Sequence, residues 1–576
     1  MSILPGSKKK IADVIVETLV SAGVKRCYGV PGDTLNHVTD AMRRSSMRWV
    51  HVRHEEAGGF AAGADALLTG ELAACAGSCG PGSLHFVNGL FESHRNRAPV
   101  VLIASQIERS ELGFDFPQEV DYKPIYQTCS VFCEEIRTPD QARRMTAMAA
   151  QAALAKKGVA VLIVPADVSA APAGDEPAFA AHRSNPRVLP AQTEIAGLAK
   201  ALGAGKRVAI YGGSGCEDAH DEVVALARKL KAPVAHTSRA KDFLAWGNPH
   251  CVGMTGVFGG EAGFHALTSC DTLLLLGCDF AWRQFYPDKA TILQVDIDGA
   301  HLGRRHPVDQ GVVGDVRSTL EALLPLVEER EDDAFLTECL DHAEKTRESQ
   351  ARHAQADDNR PIHPQYLTET IARNADADAI YTADGGSPMV WCLRHVEATG
   401  QNRRVISLTH GTMANAMPQA LGAKAAYPDR QVISLSGDGG LAMLMGDLLT
   451  AVQENLPIKV CVYDNASLGF VELEQKVEGL LDSYTDLKNP DFARVAEAIG
   501  FWSRRVEKAS ELELAVSQWL DAPGPALLDV VTDRMELVMP PRIEAGQVLG
   551  TALYSAKAVL SGRGDDVAGL LRNALT

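Results

Sequence analysis

No run in the 576 residues is both long and apolar enough to read as a membrane span. The longest uncharged stretch, residues 73–91, carries several Gly, a Pro, an Asn and a His, too polar a mixture for a bilayer core. Basic residues are in short supply: 56 Lys and Arg stand against 73 Asp and Glu, a formal charge of −17. Such a chain is a poor electrostatic match for nucleic acid or an anionic membrane. No nucleic-acid partner is expected, and any lipid contact must rest on apolar surface. Paired metal-ligand blocks are also missing. The twelve cysteines include Cys75 with Cys79 and Cys129 with Cys133, each pair spaced for one helical face and without a His pair nearby. They read as reduced core thiols of a cytosolic protein. The N-terminus lacks the apolar core of a signal peptide, because Asp13 and Glu17 interrupt it. Ile11, Val14, Ile15, Thr18 and Leu19 fit the rhythm of a surface helix instead.

What is there is globular, 46% hydrophobic and 22% charged, over a length that implies three or four domains at roughly 100–200 residues each. Residues 1–185 alternate helical patterns with apolar runs at 100–104 and 159–164 and end in a Pro/Ala-rich linker. A second block, 186–340, opens with RVAIYGGSG and continues through DTLLLLGCDF and ATILQVDID. A third, 341–530, has strands expected at 379–382, 432–435 and 459–463. The expected class is therefore α/β, three doubly wound parallel-sheet domains, followed by a helical tail over 531–576. In that tail Val548, Leu549, Ala552, Leu553, Ala556, Val559 and Leu560 recur at helical spacing, and Val567, Leu570, Leu571 and Leu575 form a second, shorter stripe.

The third block carries the chemistry. In QVISLSGDGGLAMLMGDLLTAVQENLPIKVCVYDNASLGF two apolar strands each stop at an oxygen ligand, Asp438 and Asn465, with a helix between them. A parallel sheet brings both side chains to its carboxyl edge, where ligands bind in such folds. The amides of Gly439 and Gly440 can face a diphosphate. Magnesium prefers hard oxygens, and Asp438, Asn465 and a loop carbonyl near Ser467 would supply three. In the first block, VRHEEAGGFAAGADA sets Glu55 and Glu56 at the start of a helix of small apolar residues, so that one of the two must meet a dry surface. A carboxylate so placed can share a proton with a ring nitrogen.

The GDGG and DN turns, one helix and one strand apart, resemble those of thiamine diphosphate enzymes. Within that superfamily HGTMANAMPQALGA, GDGGLAMLMGDLL, DNASLGFVELEQK and SGRGDDV resemble the quinone-dependent pyruvate dehydrogenases, also called pyruvate oxidases, and the likeness covers the whole chain. The resemblance implies magnesium on Asp438, Asn465 and the Ser467 carbonyl, with thiamine diphosphate held by Gly439, Gly440 and the loop Ala466, Ser467, Leu468, Gly469, Phe470 and Val471. On either side of Thr412, the Gly411 carbonyl and the Met413 amide would bond the aminopyrimidine, with the Met413 side chain wedging the cofactor into its bent form. It selects Glu55 over Glu56 as the catalytic acid and places it in another subunit's site. The chain would then be a homo-oligomer, at least a dimer and expected as a tetramer. His85 would orient the keto acid, and Phe470 would stand between two cofactors. The second cofactor implied is FAD, on backbone groups of Thr255, Gly256, Val257 and Phe258 and of Cys278, Asp279, Phe280, Ala281 and Trp282, with Asp296 on the ribose hydroxyls.

The activity implied is conversion of pyruvate to acetate and carbon dioxide, with electrons passing through FAD to ubiquinone or a similar quinone. The enzyme would sit on the inner face of the cell membrane, its tail against phospholipid. Two departures stand out: Pro117, in FDFPQEV, replaces an aromatic residue beside the site, and the closing NALT lacks the relatives' terminal aromatic. Competing readings are an acetolactate synthase, a phosphate-using oxidase making acetyl phosphate and hydrogen peroxide, and a non-catalytic flavin-binding regulatory protein.

Overall fold

A computed structural model describes residues 9–174, 179–184, 186–352, 354–536 and 545–561 with 567, 568, 570 and 573, and only the backbone of 545–550. Its described strands form three six-stranded sheets, and every strand pairing within them is parallel. In the first sheet β1 (Arg26–Gly29), β2 (Arg48–His51), β3 (Ala73–Gly77), β4 (Val100–Gln106), β5 (Phe132–Glu135) and β6 (Val159–Pro165) lie in the order β2-β1-β3-β4-β6-β5. The second contains β7 (Val208–Gly212), β8 (Val234–His236), β9 (Cys251–Met254), β10 (Thr272–Leu276), β11 (Thr291–Asp296) and β12 (Gln310–Val313), ordered β12-β11-β10-β7-β8-β9. The third has β13 (Ile380–Ala383), β14 (Arg403–Ile406), β15 (Val432–Gly437), β16 (Lys459–Asp464), β17 (Trp502–Val506) and β18 (Ala526–Val531), ordered β14-β13-β15-β16-β18-β17.

Counted within each block, the outer sheets share the order 2-1-3-4-6-5, whereas the central one reads 3-2-1-4-5-6. The three blocks, similar in sequence pattern, thus differ in topology, and the central order is the one used by dinucleotide-binding sheets. Helices cover both sheet faces, which is why the runs at β4, β6 and β10 are apolar without alternation and buried at every position.

The helix Ile11–Ser21 bears the expected stripe, but Ala12 and Val16 are buried beside it, so it is packed more deeply than a surface helix. The cysteine pairs do not lie on helices. Cys75 is in β3 and Cys133 in β5, where a spacing of four falls on a strand and its flanking turn. All twelve thiols are free.

Small residues in the helix Glu55–Thr69 let it approach two others. A Cβ on Gly422, in the helix Ala416–Ala426, would stand 2.0 Å from the Ala61 carbonyl oxygen. One on Gly63 would stand 2.3 Å from Ser93 Oγ in the helix Val87–Arg95. The approach of Gly422 to Ala61 locks the first and third domains of one chain together. The helix Ala545–Leu560 of the tail packs on the helix Gly469–Val477, where Lys557 Nζ donates to the Gly479 carbonyl at 2.7 Å and Tyr554 is fully buried under Lys476. Val548 and Leu549 contribute only backbone to the description, and Leu571 and Leu575 of the second stripe lie outside the described residues.

Candidate active site

β15 and β16 are neighbours in parallel register, so the residues that follow them, Asp438 and Asn465, emerge at the same edge. Both line a cavity of about 300 Å³ with Gly439, Gly440, Ser467, Leu468, Gly469, Phe470 and Val471. Gly411 and Met413 reach it from the third domain and Phe258 from the central domain. The turn positions are backbone-driven: Gly411 (φ 72°), Ala414 (φ 67°) and Ala466 (φ 53°) are left-handed, two of them at a cost that only a fixed surround sustains. Ala466 itself faces a second cavity, with Asn465, Asp464 and Asn489. Thr412 is tied to its turn, its amide donating to Ser407 Oγ at 2.9 Å and its hydroxyl to the Met413 carbonyl at 2.9 Å.

Asp384, at the end of β13, is the largest omission from the sequence reading. It is buried, and its carboxylate accepts from Ala416 N at 2.9 Å and Gly437 N at 3.2 Å, joining three segments beneath the cavity. Burial pushes its carboxyl up to about 7 against the pull of those amides. A Cβ on Gly440 would lie 2.3 Å from Asp384 Oδ2, so the last glycine of GDGG is required by this neighbour. Gly385, Gly386 and Ser387 also line the cavity, and a Cβ on Gly385 would meet the Thr412 carbonyl at 2.2 Å. The signal was present: Asp384-Gly385-Gly386 repeats Asp438-Gly439-Gly440 one strand away. Asp438 is pushed up to about 6, mainly by burial and further by Asp464, with Gly439 N and the Asn489 amide acting against it.

The two N-terminal glutamates point apart, as successive residues on a helix must. Glu56 Oε1 accepts from Asn88 Nδ2 at 2.7 Å, and the same amide reaches Thr412 Oγ1 at 3.1 Å while its oxygen meets His410 Nε2 at 2.7 Å. Glu56 is therefore bound to the HGTM turn of its own chain. Glu55 turns away; it is 8% exposed, lies 2.9 Å from His85 Nδ1 and is not among the residues lining the cavity. His54 caps this helix through Glu56 N and stacks on His85 with ring centres 4.7 Å apart. His85 thus holds the carboxylate rather than standing alone at a substrate surface. Pro117 lies in an exposed segment with Phe114 and Phe116.

In the central domain the flavin candidates collect at the carboxyl ends of β9, β10 and β11. A Cβ on Gly256 would contact Phe280 at 3.2 Å and Trp282 at 3.6 Å, so segments 255–258 and 278–282 lie side by side. Val257 is packed against the core, Ala281 is exposed and Cys278 is buried. Asp279 is held below the usual carboxylate range by Arg305 and Arg304 despite partial burial. The Thr255 hydroxyl is buried without a hydrogen-bond partner among the described residues. Asp296 is buried, accepts from Asp298 N at 3.0 Å and lies 3.3 Å from His301 Nδ1. The glycines of YGGSG serve loop contact: Gly213 N and Gly215 N donate to the carbonyls of Leu276 and Gly277 at 2.9 and 3.1 Å.

Three family models match this chain: the thiamine pyrophosphate enzyme N-terminal TPP binding domain over residues 9–125, its central domain over 195–323 and its C-terminal TPP binding domain over 384–530. This chain belongs to the thiamine pyrophosphate enzymes. It is 33% identical over 552 residues to YdaP of Bacillus subtilis, described as thiamine pyrophosphate-containing, covering 95% of this chain and 96% of that one. It is 32% identical over 530 residues to the pyruvate oxidase of Lactiplantibacillus plantarum (90% and 87%) and 31% identical over 561 residues to the acetolactate synthase large subunit of Corynebacterium glutamicum (92% and 88%). In this thiamine pyrophosphate enzyme Asp438 and most of the residues lining the cavity beside it lie within the matched C-terminal binding domain, and Glu55 within the N-terminal one.

Proposed function

We propose that the protein oxidises pyruvate to acetate and carbon dioxide, passing electrons through FAD to a membrane quinone. The observation that carries this reading is the stack of Phe258 on Phe470, ring centres 5.9 Å apart and 5° from parallel, which makes the central domain a wall of the thiamine cavity. A redox group on segments 255–258 and 278–282 would then border the reacting carbon, and the unpartnered Thr255 hydroxyl offers it a polar contact. When bound, thiamine diphosphate supplies the electron sink for decarboxylation of a 2-oxo acid. Asp438, the Asn465 amide oxygen and the Ser467 carbonyl suit magnesium by chemistry and by their common edge. Phe258, Phe470, Met389 and Trp391 keep that cavity largely apolar, so that a carboxylate entering it is desolvated. Glu55 moves the proton, and because it does not reach the cavity of its own chain, the working site needs a second copy, in a dimer or tetramer.

A lipid-facing role for the tail is supported by the helix Ala545–Leu560. Its inner face docks through Tyr554, Lys557 and Ala558, while the expected stripe residues Leu553, Val559 and Leu560 are 48%, 59% and 88% exposed. No described helix is long and apolar enough to cross a membrane, so contact would be peripheral. Leu553→Asp, Val559→Asp and Leu560→Asp together are expected to abolish sedimentation with phospholipid vesicles and reduction of a long-chain quinone while leaving ferricyanide reduction unchanged. Unaltered vesicle binding would remove the membrane role.

The reaction itself is tested by supplying pyruvate with ubiquinone, ferricyanide, oxygen plus phosphate, or no acceptor. Acetate with quinol is the expected product pair. Acetolactate without net oxidation would assign the chain to the synthase branch, and acetyl phosphate with peroxide to the phosphate-using oxidases. No turnover with FAD bound would leave the regulatory reading.

A further inference from the structure

We propose that Asn489 is a positioning residue of the metal site, holding the Asp438 carboxylate in place by tying it to Asp464. The inference rests on the magnesium reading above and names a residue that reading does not contain. Asn489 lies in the NPDF segment just before the helix Phe492–Ile499, far from both the GDGG and the DN turns in sequence. Its side-chain nitrogen carries two hydrogens and uses both: Nδ2 donates to Asp438 Oδ2 at 2.8 Å and to Asp464 Oδ1 at 2.7 Å. This fixes the amide's orientation, because the reverse setting would aim its oxygen at two carboxylates.

Each end of the bridge is itself anchored. Asp464 Oδ2 accepts from Arg505 Nη1 at 3.0 Å, and Arg505 Nη1 also binds Asp529 Oδ2 at 2.5 Å. Asp438 Oδ1 accepts from Gly439 N at 2.8 Å. Each Asp438 oxygen therefore has a donor in a fixed direction and keeps further lone-pair capacity for a cation. Pro490, next in the chain, restrains Asn489 to extended backbone and so limits where the amide can go. Asp464 does not line the main cavity, whereas Asp438 does, and Asn465 lines both that cavity and the one beneath it where Asn489 and Arg505 lie. The network Asp438–Asn489–Asp464–Arg505–Asp529 is thus the scaffold behind the ligands. Without the amide two buried carboxylates would face each other with no donor between them, and Asp438 would lose its fixed direction. Groups that orient metal ligands in this way are typically worth about 10–100-fold in metal affinity.

The test is Mn²⁺ binding at saturating thiamine diphosphate, read from the electron paramagnetic resonance of free Mn²⁺, on wild type, Asn489→Ala, Asn489→Ser and Asp438→Ala. Wild-type-like melting of the apo forms serves as the control for folding. Asn489→Ala is expected to weaken Mn²⁺ by about 10–100-fold, and Asn489→Ser, which keeps one donor, by less. Mn²⁺ affinity within twofold of wild type in both Asn489 variants, with Asp438→Ala devoid of binding, would overturn the role of Asn489 and leave the metal reading standing. Undiminished binding in Asp438→Ala would overturn the metal reading, and the inference with it.

Discussion

Replacing Glu55 with Gln is expected to lower turnover of the 2-oxo acid by about 10²–10⁴-fold, the usual range for loss of an acid–base group, while thiamine diphosphate stays bound. The amide preserves size and a hydrogen bond to His85 but cannot carry the proton. Burial at 8% exposure leaves the side chain no solvent substitute, and His85 Nδ1 is its one hydrogen-bonding partner among the described residues. The neighbouring substitution provides the contrast. Glu56 uses Oε1 to accept from Asn88, and a Gln oxygen can do the same, so Glu56→Gln is expected to keep turnover within a few-fold of wild type. Steady-state turnover of both variants, with proton exchange at the thiazolium carbon followed by NMR, separates the cases. Undiminished exchange in Glu55→Gln, or equal losses in the two, would remove Glu55 from the acid's role.

The parts of this site that could be read in the sequence are those whose chemistry and position coincide along the chain. β15 and β16 are buried, mostly apolar runs, and each is followed directly by an oxygen-bearing side chain, so a pattern of strand, helix, strand places Asp438 and Asn465 together without further information. The flavin candidates were instead implied by family resemblance, and several of them fall at strand ends because β10 and β11 are equally plain. Asp384 and Asn489 escaped it for opposite reasons. Asp-Gly-Gly after β13 is an ordinary turn until the sheet order sets it next to GDGG, and Asn489 lies in an irregular segment that no periodicity marks. Strand order is likewise invisible in periodicity, which is why the central 3-2-1-4-5-6 sheet resembled its neighbours until their pairings were known. The Glu55–His85 contact spans thirty positions and depends on the turn at Gly80, whose φ of 66° redirects the chain between β3 and His85. In the tail, helical spacing identified an apolar stripe but could not tell a docked face from an open one. The docked face turned out to centre on Tyr554 and Lys557, which the stripe omits.

Removing the carboxylate with Asp438→Ala is expected to leave purified protein with neither magnesium nor thiamine diphosphate, and with no measurable turnover, while FAD, if the central domain carries it, remains at wild-type level. The two losses belong together, because Asp438 supplies a charged oxygen where an entering diphosphate and a dication must neutralise one another. The other carboxylates lining the cavity are engaged elsewhere: Asp533 accepts from Met535 N and the Asn573 amide, and Glu536 lies against His363 and Gln365. Asp384 is engaged by backbone amides beneath Gly440, and Asp464 is turned toward Arg505 and Asn489. The candidate flavin segments at 255–258 and 278–282 follow strands of a different sheet, and none of their residues bonds this carboxylate. Acidity provides an independent check on the wild type. A carboxyl raised to about 6 by burial is protonated below that pH, and a proton competes with the metal there. Metal affinity of the apo-protein should therefore fall as pH drops through 6 and level off above it. Metal analysis and cofactor quantification on the variant, with the pH series on the wild type, decide the matter. Stoichiometric thiamine diphosphate without magnesium in Asp438→Ala would show that the diphosphate is held by other groups and that the metal bridge does not exist.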